Sequence, residues 1–554
     1  MTVRLTGAVM AHPRRTASAE TLISSAPFLD LVLDPDPSGP PTGLRTSMRA
    51  WSSVPAGSTH HLVLEDDAQL CEGFRDQAER AVAAAPDAAI VLFTAWGSRN
   101  GAVVRLGALS GARWATPVAE YTANVALILP AAVGEGFADY ARAHGGTWPD
   151  DVILARYLKS LGVPTYLTVP NLVEHGEFPS ISGNDRHGLR LSACHSAVPA
   201  DTDWSLDNLI EPDAVPFFKF GVAQCTVRSA DRWLTVGTDR GSRKLGVDVD
   251  RCETEFDRAK PAIPLPPGRL AAFWRTAYTL GLLTTRYAAT AISPDDPLVD
   301  KALSTLGPGG LCMEVSAAEL RALQAPLRDL AWTAVSAGAC QPEFPRTGRR
   351  ILFTGPDCAL RRTLVADLAD RGHTVRTTAD PASDQMAADD TVVELVTAGP
   401  PTRISVRCHV TGSPAVLRLG VPYGPEIVDY SPINDLVLQS LTIQPMRAET
   451  SLPDAVRFVH VWDIGAALAR IVESPWLSGE FDLCHDEVVS PVELAEVIAR
   501  SVRSVAIDLV RVPGELSGPA LCPERAKAEL GWRPAVDLAE GVRTVAQWLA
   551  YEAD

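Results

Sequence analysis

The sequence lacks paired cysteines: ten cysteines are scattered over 554 residues, and no two form a CxxC pair. Zinc ribbons and disulfide-stabilised secreted domains need such pairs or a dense cysteine framework. The first residues also lack the apolar run of a signal peptide. We therefore expect free thiols and a cytoplasmic location.

Two further absences exclude classes of partner. The chain has no stretch of about 18 uninterrupted apolar residues, so no membrane-spanning helix is expected. It also has no excess of basic residues, since its formal net charge is −17 and its pI about 5.2, which argues against nucleic-acid binding through a broad basic surface. Its composition is that of a folded protein, 46% hydrophobic and 21% charged, in a chain long enough for about two to four domains.

The order of apolar and helical stretches indicates an α/β protein with three regions. Residues 1–200 alternate short strands with helices and predict a mixed-sheet domain. Residues 201–346 predict a mixed, largely helical connecting region without a chemical motif. Residues 347–554 open with a strand, a glycine turn and a helix, which predicts a Rossmann-like βαβ start. The strands predicted in the first region are residues 5–10, 29–33, 61–64, 89–93, 125–129 and 165–169.

An acidic triplet comes directly after one of these strands. The apolar residues 61–64 end in Glu65, Asp66 and Asp67. In an open α/β sheet, ligands bind beyond the carboxyl ends of the strands. Mg²⁺ and Mn²⁺ prefer carboxylate oxygens and keep positions open for substrate phosphates. The triplet therefore predicts a metal site, and the alternative is a solvated turn with an accidental run of acids.

Two later segments carry residues of the same chemistry. Asp150 and Asp151 open a predicted helix, where they either cap the helix or offer a carboxylate that acts as a general base. His175 ends another apolar strand and is either a structural histidine or a third metal ligand.

Together these segments resemble the GT-A-fold glycosyltransferases that use nucleotide-sugar donors. In this sequence an EDD at residues 65–67 stands where that family has its DxD motif, and the segments 121–130 and 170–175 come next in the family's order. Residues 150–163 resemble the EDV…L…GV element of the fringe-type enzymes, whose second acid is the catalytic base. The resemblance covers about residues 3–200.

The resemblance implies a nucleotide-sugar donor, a divalent metal (Mn²⁺ or Mg²⁺) and an acceptor that the sequence does not identify. It assigns metal binding to Glu65, Asp67 and His175. It assigns catalysis to Asp151 as base, with Asp150 beside it, and predicts inversion at the anomeric carbon. The residues it places at the nucleotide or its diphosphate are His12, Arg14, Arg45 and Asp66.

The last region resembles the extended short-chain reductases, the NAD-dependent sugar-nucleotide epimerase and dehydratase family. The segments that carry the resemblance are residues 350–355, 368–373, 416–425, 457–464 and 526–534. The nucleotide turn keeps Gly355, but Cys358 and Arg361 stand where the family has its second and third glycines. The nearest acidic candidate for the residue that contacts the ribose in that family is Asp380, which comes after residues 375–379.

The same region lacks the Tyr-x-x-x-Lys pair of that family. Only 22 residues lie between Val393 and Val416, and they contain neither Tyr nor Lys, so the helix that should carry the pair is deleted. We therefore expect a catalytically inactive reductase-like domain that does not bind NAD(P). It would serve as a scaffold, a sensor or the surface of a homodimer.

The leading interpretation is a metal-dependent glycosyltransferase fused to this inactive domain. A non-catalytic scaffold or regulatory protein built on two relic folds is the alternative from a different class, but the full set of carboxylates and His175 argues against it. A nucleotidyltransferase lacks support because residues 10–15 contain no glycine, and an active epimerase or oxidoreductase is the least favoured interpretation.

Overall fold

The computed structural model describes residues 2–178, 181, 188–229, 232–259, 262–288, 291–342, 348–378, 391–397, 404–409, 414–430, 432–450, 456–474, 476–511 and 520–553. The chain forms two compact units, one of Met1–Leu234 with Val247–Pro342, the other of Thr235–Gly246 with Glu343–Asp554. Both are α/β, as the sequence predicts. No described helix has both the length and the apolar character needed to cross a bilayer.

The elements of residues 5–339 succeed one another in this order: β1 (Leu5–Ala11), α1 (Thr16–Ser25), β2 (Leu29–Leu33), α2 (Leu44–Trp51), β3 (His60–Glu65), β4 (Ala68–Leu70), α3 (Phe74–Ala84), β5 (Ala89–Val91), α4 (Arg99–Ser110), β6 (Trp114–Ala115), β7 (Ala126–Pro130), α5 (Ala131–His144), α6 (Asp150–Leu161), β8 (Thr165–Thr168), β9 (Val173–His175), β10 (Leu209–Ile210), β11 (Ala214–Lys219), β12 (Val222–Ser229), β13 (Arg232–Gly237), α7 (Thr238–Leu245), α8 (Val249–Ala259), α9 (Pro267–Tyr287), α10 (Pro297–Leu311) and α11 (Ala317–Ala339). Helix α7 belongs to the second unit.

An eight-stranded mixed sheet organises the first unit, in the order β10-β6-β8-β5-β7-β3-β1-β2. Strand β1 runs parallel to β2 and β3, whereas β7 is antiparallel to β3 and β5. The apolar residues of β3, Leu62 to Leu64, are fully buried because helices cover both faces of a sheet of this kind. Each of the six predicted strands is present, with ends shifted by two residues or fewer.

Residues beyond 200 contribute to this unit as well, although the sequence predicts a boundary there. Strand β10 pairs with β6, so that Leu209 lies opposite Trp114 in the main sheet. Most of the predicted connecting region, including helices α8 to α11, belongs to the same compact unit. Short strands such as β10 form only through long-range pairing, so local sequence patterns do not show that this unit continues beyond residue 200.

Arg105 links α4 to α10 from a fully buried position. Its guanidinium donates to the carbonyl oxygens of Ala302 (3.2 Å), Thr305 (3.0 Å) and Trp96 (2.6 Å), and no carboxylate is among these partners. Burial lowers the pKa of Arg105 to about 10. The guanidinium therefore acts as a fork that satisfies backbone acceptors inside the unit.

We expect Arg105→Ala to destabilise the protein by about 3 kcal/mol or more, because it opens a cavity and leaves buried carbonyls without donors. Arg75→Ala is the control, since the ion pair of Arg75 with Glu79 is exposed and worth less than about 1 kcal/mol. Scanning calorimetry of the full chain measures both. Equal unfolding temperatures for the two variants would contradict the role given to Arg105.

The second unit continues from residue 350 with β14 (Arg350–Thr354), α12 (Ala359–Asp370), β15 (Thr374–Thr378), β16 (Thr391–Thr397), β17 (Ile404–His409), β18 (Ala415–Leu419), β19 (Val421–Tyr423), α13 (Ile433–Leu441), β20 (Met446–Thr450), β21 (Phe458–His460), α14 (Val461–Glu473), β22 (Gly479–Leu483), α15 (Pro491–Ser501), β23 (Ile507–Arg511), α16 (Glu524–Glu529) and α17 (Leu538–Tyr551). Its six-stranded sheet has the order β15-β14-β16-β17-β18-β22.

The middle of this sheet departs from a doubly wound fold. Strands β15, β14 and β16 are parallel, as in a βαβ start, but β17 is antiparallel to both β16 and β18. The described residues between β16 and β18 thus form a strand, in the place where the sequence predicts a deleted helix.

Candidate metal centre

Two strand pairings bring the predicted metal ligands together. Glu65 is the last residue of β3 and lies opposite Met10 of β1. After a two-residue turn, β4 pairs antiparallel with β9, which sets Ala68 opposite His175. As a result, one ligand atom from each of Glu65, Asp67 and His175 lies within 4.8 Å of the others.

Two donor atoms of this cluster, one from Asp67 and one from His175, are buried and unsatisfied. Asp67 Oδ1 is 3.5 Å from His175 Nε2, and neither atom has a hydrogen-bond partner among the described residues. Buried polar atoms without partners are rare in folded proteins because they lose their hydration without compensation. Two carboxylates and an imidazole are a donor set that suits Mn²⁺ or Mg²⁺, so the residues fit the metal that the sequence implies.

The electrostatics of the cluster also favour a cation. Burial raises the pKa of Glu65 well above its usual range, and the negative charges of Asp67 and Asp150 add to this rise. Burial lowers the pKa of His175, although Asp67 opposes the shift, so the imidazole is neutral and offers a lone pair. Crowded carboxylates of this kind are stabilised when a cation replaces their missing hydration.

Arg15 contacts the acidic triplet, although it was not predicted from the sequence. Its Nη1 donates to Asp66 Oδ1 at 3.0 Å and to Asp67 Oδ2 at 2.8 Å. Burial is the largest influence on the pKa of Asp66 and raises it, whereas the bond from Arg15 lowers it. Asp66 therefore lies against Arg15, outside the three-residue cluster. The sequence signal for this contact is the position of Arg15, four residues after the carboxyl end of β1.

Arg190 is a second cation close to the cluster that was not predicted from the sequence. Its positive charge lowers the pKa values of both Glu65 and His175. It belongs to no motif, so only the structure reveals it.

Asp150 and Asp151 lie at the N-terminus of α6, as predicted. Asn124 Nδ2 donates to Asp150 Oδ2 at 2.7 Å, and the amide of Val152 donates to Asp151 Oδ1 at 2.8 Å. Burial, and after it the charge of Asp150, raises the pKa of Asp151 to about 7. The charge of Asp150 also raises the pKa of Glu65. A carboxylate with a pKa near 7 suits a general base.

The residues predicted at the nucleotide lie around the segment that comes after β2. Arg45 is held by Asp34, with Nε 2.5 Å from Oδ1 and Nη2 2.8 Å from Oδ2. His12 Nε2 is 3.4 Å from the carbonyl oxygen of Pro37, and Arg14 is exposed. Arg45 thus orders this segment through Asp34 and makes none of its hydrogen bonds to the acidic cluster. A contact of these three residues with a nucleotide stays a prediction.

In the second unit, the backbone requires a glycine at position 355. Gly355 has a φ of +113°, and a Cβ at this position would lie 2.4 Å from the carbonyl oxygen of Leu395 in β16. Arg361 Nη1 donates to the Gly355 carbonyl oxygen at 2.7 Å, so its side chain folds back onto the turn. Cys358 takes the N-cap position of α12. Side chains therefore stand where a pyrophosphate would approach, while Asp380 lies outside the described residues. The absence of NAD(P) binding stays a prediction.

No family model and no curated protein matches the sequence. Among solved structures, UDP-glucuronic acid 4-epimerase from Bacillus cereus is 18% identical over 24% of this chain and 44% of its own, with a TM-score of 0.22. dTDP-glucose 4,6-dehydratase from Bacillus anthracis is 13% identical over 36% of this chain and 96% of its own, with a TM-score of 0.28.

A third solved structure, UDP-N-acetylglucosamine 4-epimerase from Bacillus cereus, is 12% identical over 37% of this chain and 98% of its own, with a TM-score of 0.30. The match to the first of the three spans less than half of that protein. At these identities and TM-scores, the likenesses give neither an activity nor a substrate for this chain.

Proposed function

We propose that this protein is a metal-dependent glycosyltransferase that moves a sugar from a nucleotide-sugar donor to an acceptor. The observation that carries this proposal is the cluster of Glu65, Asp67 and His175, whose ligand atoms lie within 4.8 Å of one another. It lies at the carboxyl end of a central strand, where α/β proteins bind ligands. Asp150 and Asp151 supply two further carboxylates at the N-terminus of α6, which a structural metal site would not require.

In this proposal each residue has a separate task. Glu65, Asp67 and His175 hold a divalent metal, which as a Lewis acid stabilises the charge of the departing nucleoside diphosphate. Asp151 accepts the proton of the acceptor as the acceptor attacks the anomeric carbon, which inverts that centre. Asp150 accepts the hydrogen bond from Asn124, and its charge raises the pKa of both Asp151 and Glu65. His12, Arg14 and Arg45 face the nucleotide.

The second unit has no part in this chemistry. It lacks the Tyr and Lys that a reductase needs, and Arg361 occupies its nucleotide turn. We assign it a structural task, as a scaffold or as the surface of a homodimer.

A thermal-shift screen tests the proposal. Wild-type protein is heated with nucleoside diphosphates and sugar nucleotides, each with Mn²⁺ and with EDTA. A ligand at about 100 times its Kd stabilises the folded state by about 2.7 kcal/mol, so one donor class should raise the melting temperature only when Mn²⁺ is present. Release of the matching nucleoside diphosphate then confirms turnover. If no nucleotide shifts the melting temperature with Mn²⁺, the proposal is wrong.

A further inference from the structure

The two carboxylate oxygens of Asp67 face different partners. Oδ1 points into the cluster, 3.5 Å from His175 Nε2, whereas Oδ2 accepts a hydrogen bond of 2.8 Å from Arg15 Nη1. The same Nη1 donates to Asp66 Oδ1 at 3.0 Å. The guanidinium also lies over the ring of Phe178, 5.6 Å from its centroid. The side chain of Asp67 is 2% exposed and that of Arg15 16%, so both groups of this ion pair are largely withdrawn from water.

We propose that Arg15 is a positioning residue for the metal centre. By holding Oδ2, it fixes the rotation of the Asp67 carboxylate so that Oδ1 alone faces His175 and Glu65. Asp67 would then bind the metal through one oxygen. Outer partners of this kind orient the ligands, and their loss typically costs about 10–100-fold in metal affinity. The inference rests on the proposed function, because it concerns the metal of that site.

A purely electrostatic effect of Arg15 has the opposite sign. The guanidinium is positive and lies one carboxylate away from the metal position, so it repels a divalent cation. If charge were its main effect, its removal would tighten metal binding. If orientation of Asp67 is its main effect, its removal weakens metal binding. The sign of the change therefore separates the two.

The experiment measures the affinity of the full-length protein for Mn²⁺ alone, from the electron paramagnetic resonance signal of free Mn²⁺ during a titration. We expect Arg15→Gln to weaken the affinity at least about tenfold, in the range known for outer-shell partners. Arg15→Lys keeps a cationic donor and should recover part of the loss. Arg49→Gln removes an equal charge from the exposed face of α2 and should leave the affinity unchanged.

Unchanged or tighter Mn²⁺ binding in Arg15→Gln would overturn the inference. If that variant does not fold, as judged by circular dichroism, Arg15→Lys decides, since a lysine side chain is one bond shorter than arginine and lacks its planar geometry, so it should still weaken binding measurably. Failure of the proposed function has a different signature. In that case wild-type protein binds no Mn²⁺, or Asp67→Asn binds it as tightly as wild type does.

Discussion

Asp67→Asn is expected to abolish metal-dependent turnover while the fold remains intact. The substitution keeps the size of the side chain but removes the negative charge whose Oδ1 lies 3.5 Å from His175 Nε2. An amide oxygen is a weaker ligand for Mn²⁺ than a carboxylate oxygen. We expect the affinity for Mn²⁺ to fall by more than the about 10–100-fold that outer-shell partners cost. Titration calorimetry with Mn²⁺ and a discontinuous assay for nucleoside diphosphate release measure the two effects.

The fold of this variant should survive for an electrostatic reason. Asp67 raises the pKa of the partly buried Glu65, so the two carboxylates repel each other when no metal is bound. Asparagine relieves that repulsion, and it retains an oxygen for the hydrogen bond from Arg15. Asp76→Asn is the matched control, because the Asp76 side chain is 71% exposed on α3. Wild-type turnover in Asp67→Asn would remove Asp67 from the metal centre.

The placement of the acids could be predicted from the sequence, because it depends on local pattern. A buried strand that stops at Glu65 must present the next residues, Asp66 and Asp67, at the carboxyl edge of the sheet. Likewise, the run from Asp150 to Gly162 carries helix signals at both ends, and the helix begins and ends there. These features need only the hydrophobic period and the chemistry of helix ends.

The contacts that complete the site could not be predicted in this way. His175 meets Asp67 only because β4 pairs with β9, two strands of three residues each. Arg15 reaches Asp67 across a sequence distance of 52 residues. Arg45 pairs with Asp34, a contact that no local sequence pattern reveals, and its contact with the diphosphate stays a prediction.

In the second unit too, the local features could be predicted from the sequence and the long-range contacts could not. The turn at Gly355 and the helix after it were predicted from a local motif and are present. The antiparallel strand β17 inside the sheet was not, because a deletion reveals that a helix is missing but does not reveal its replacement. Arg361 shows what the sequence can and cannot reveal about one residue. The sequence shows it in a glycine position, and only the structure shows its hydrogen bond to the Gly355 carbonyl.

Asp151→Asn is expected to lose turnover by about 10²–10⁴-fold, the usual contribution of a general base, and to keep its affinity for Mn²⁺ and for the nucleotide. The reason is that Asp151 supplies none of the three ligand atoms of the metal cluster. In the wild type, the rate should fall as the pH falls below about 7, because protonation of Asp151 removes the base. A bound dication lowers that pKa, so the acidic limb of the kcat profile lies at or below pH 7.

The loss of turnover expected for Asp151→Asn does not come from a less stable fold, because protonation of Asp151 stabilises the folded state. The pKa of Asp151 is raised in the folded state from 3.8 to about 7, so the folded protein binds more protons than the unfolded chain between these values. Its stability therefore falls as the pH rises through that window, and Asp151→Asn removes this loss. At pH 8 the variant should melt no lower than wild type.

Asp150→Asn tests which of the two carboxylates, Asp150 or Asp151, is the general base. The charge of Asp150 raises the pKa of Glu65, so this variant should alter the affinity for Mn²⁺ yet keep the acidic limb of the pH–rate profile that belongs to Asp151. If Asp150→Asn instead removes the limb while Asp151→Asn retains both turnover and the limb, the base is Asp150. The repulsion between the two carboxylates would then act in reverse, with Asp151 raising the pKa of Asp150.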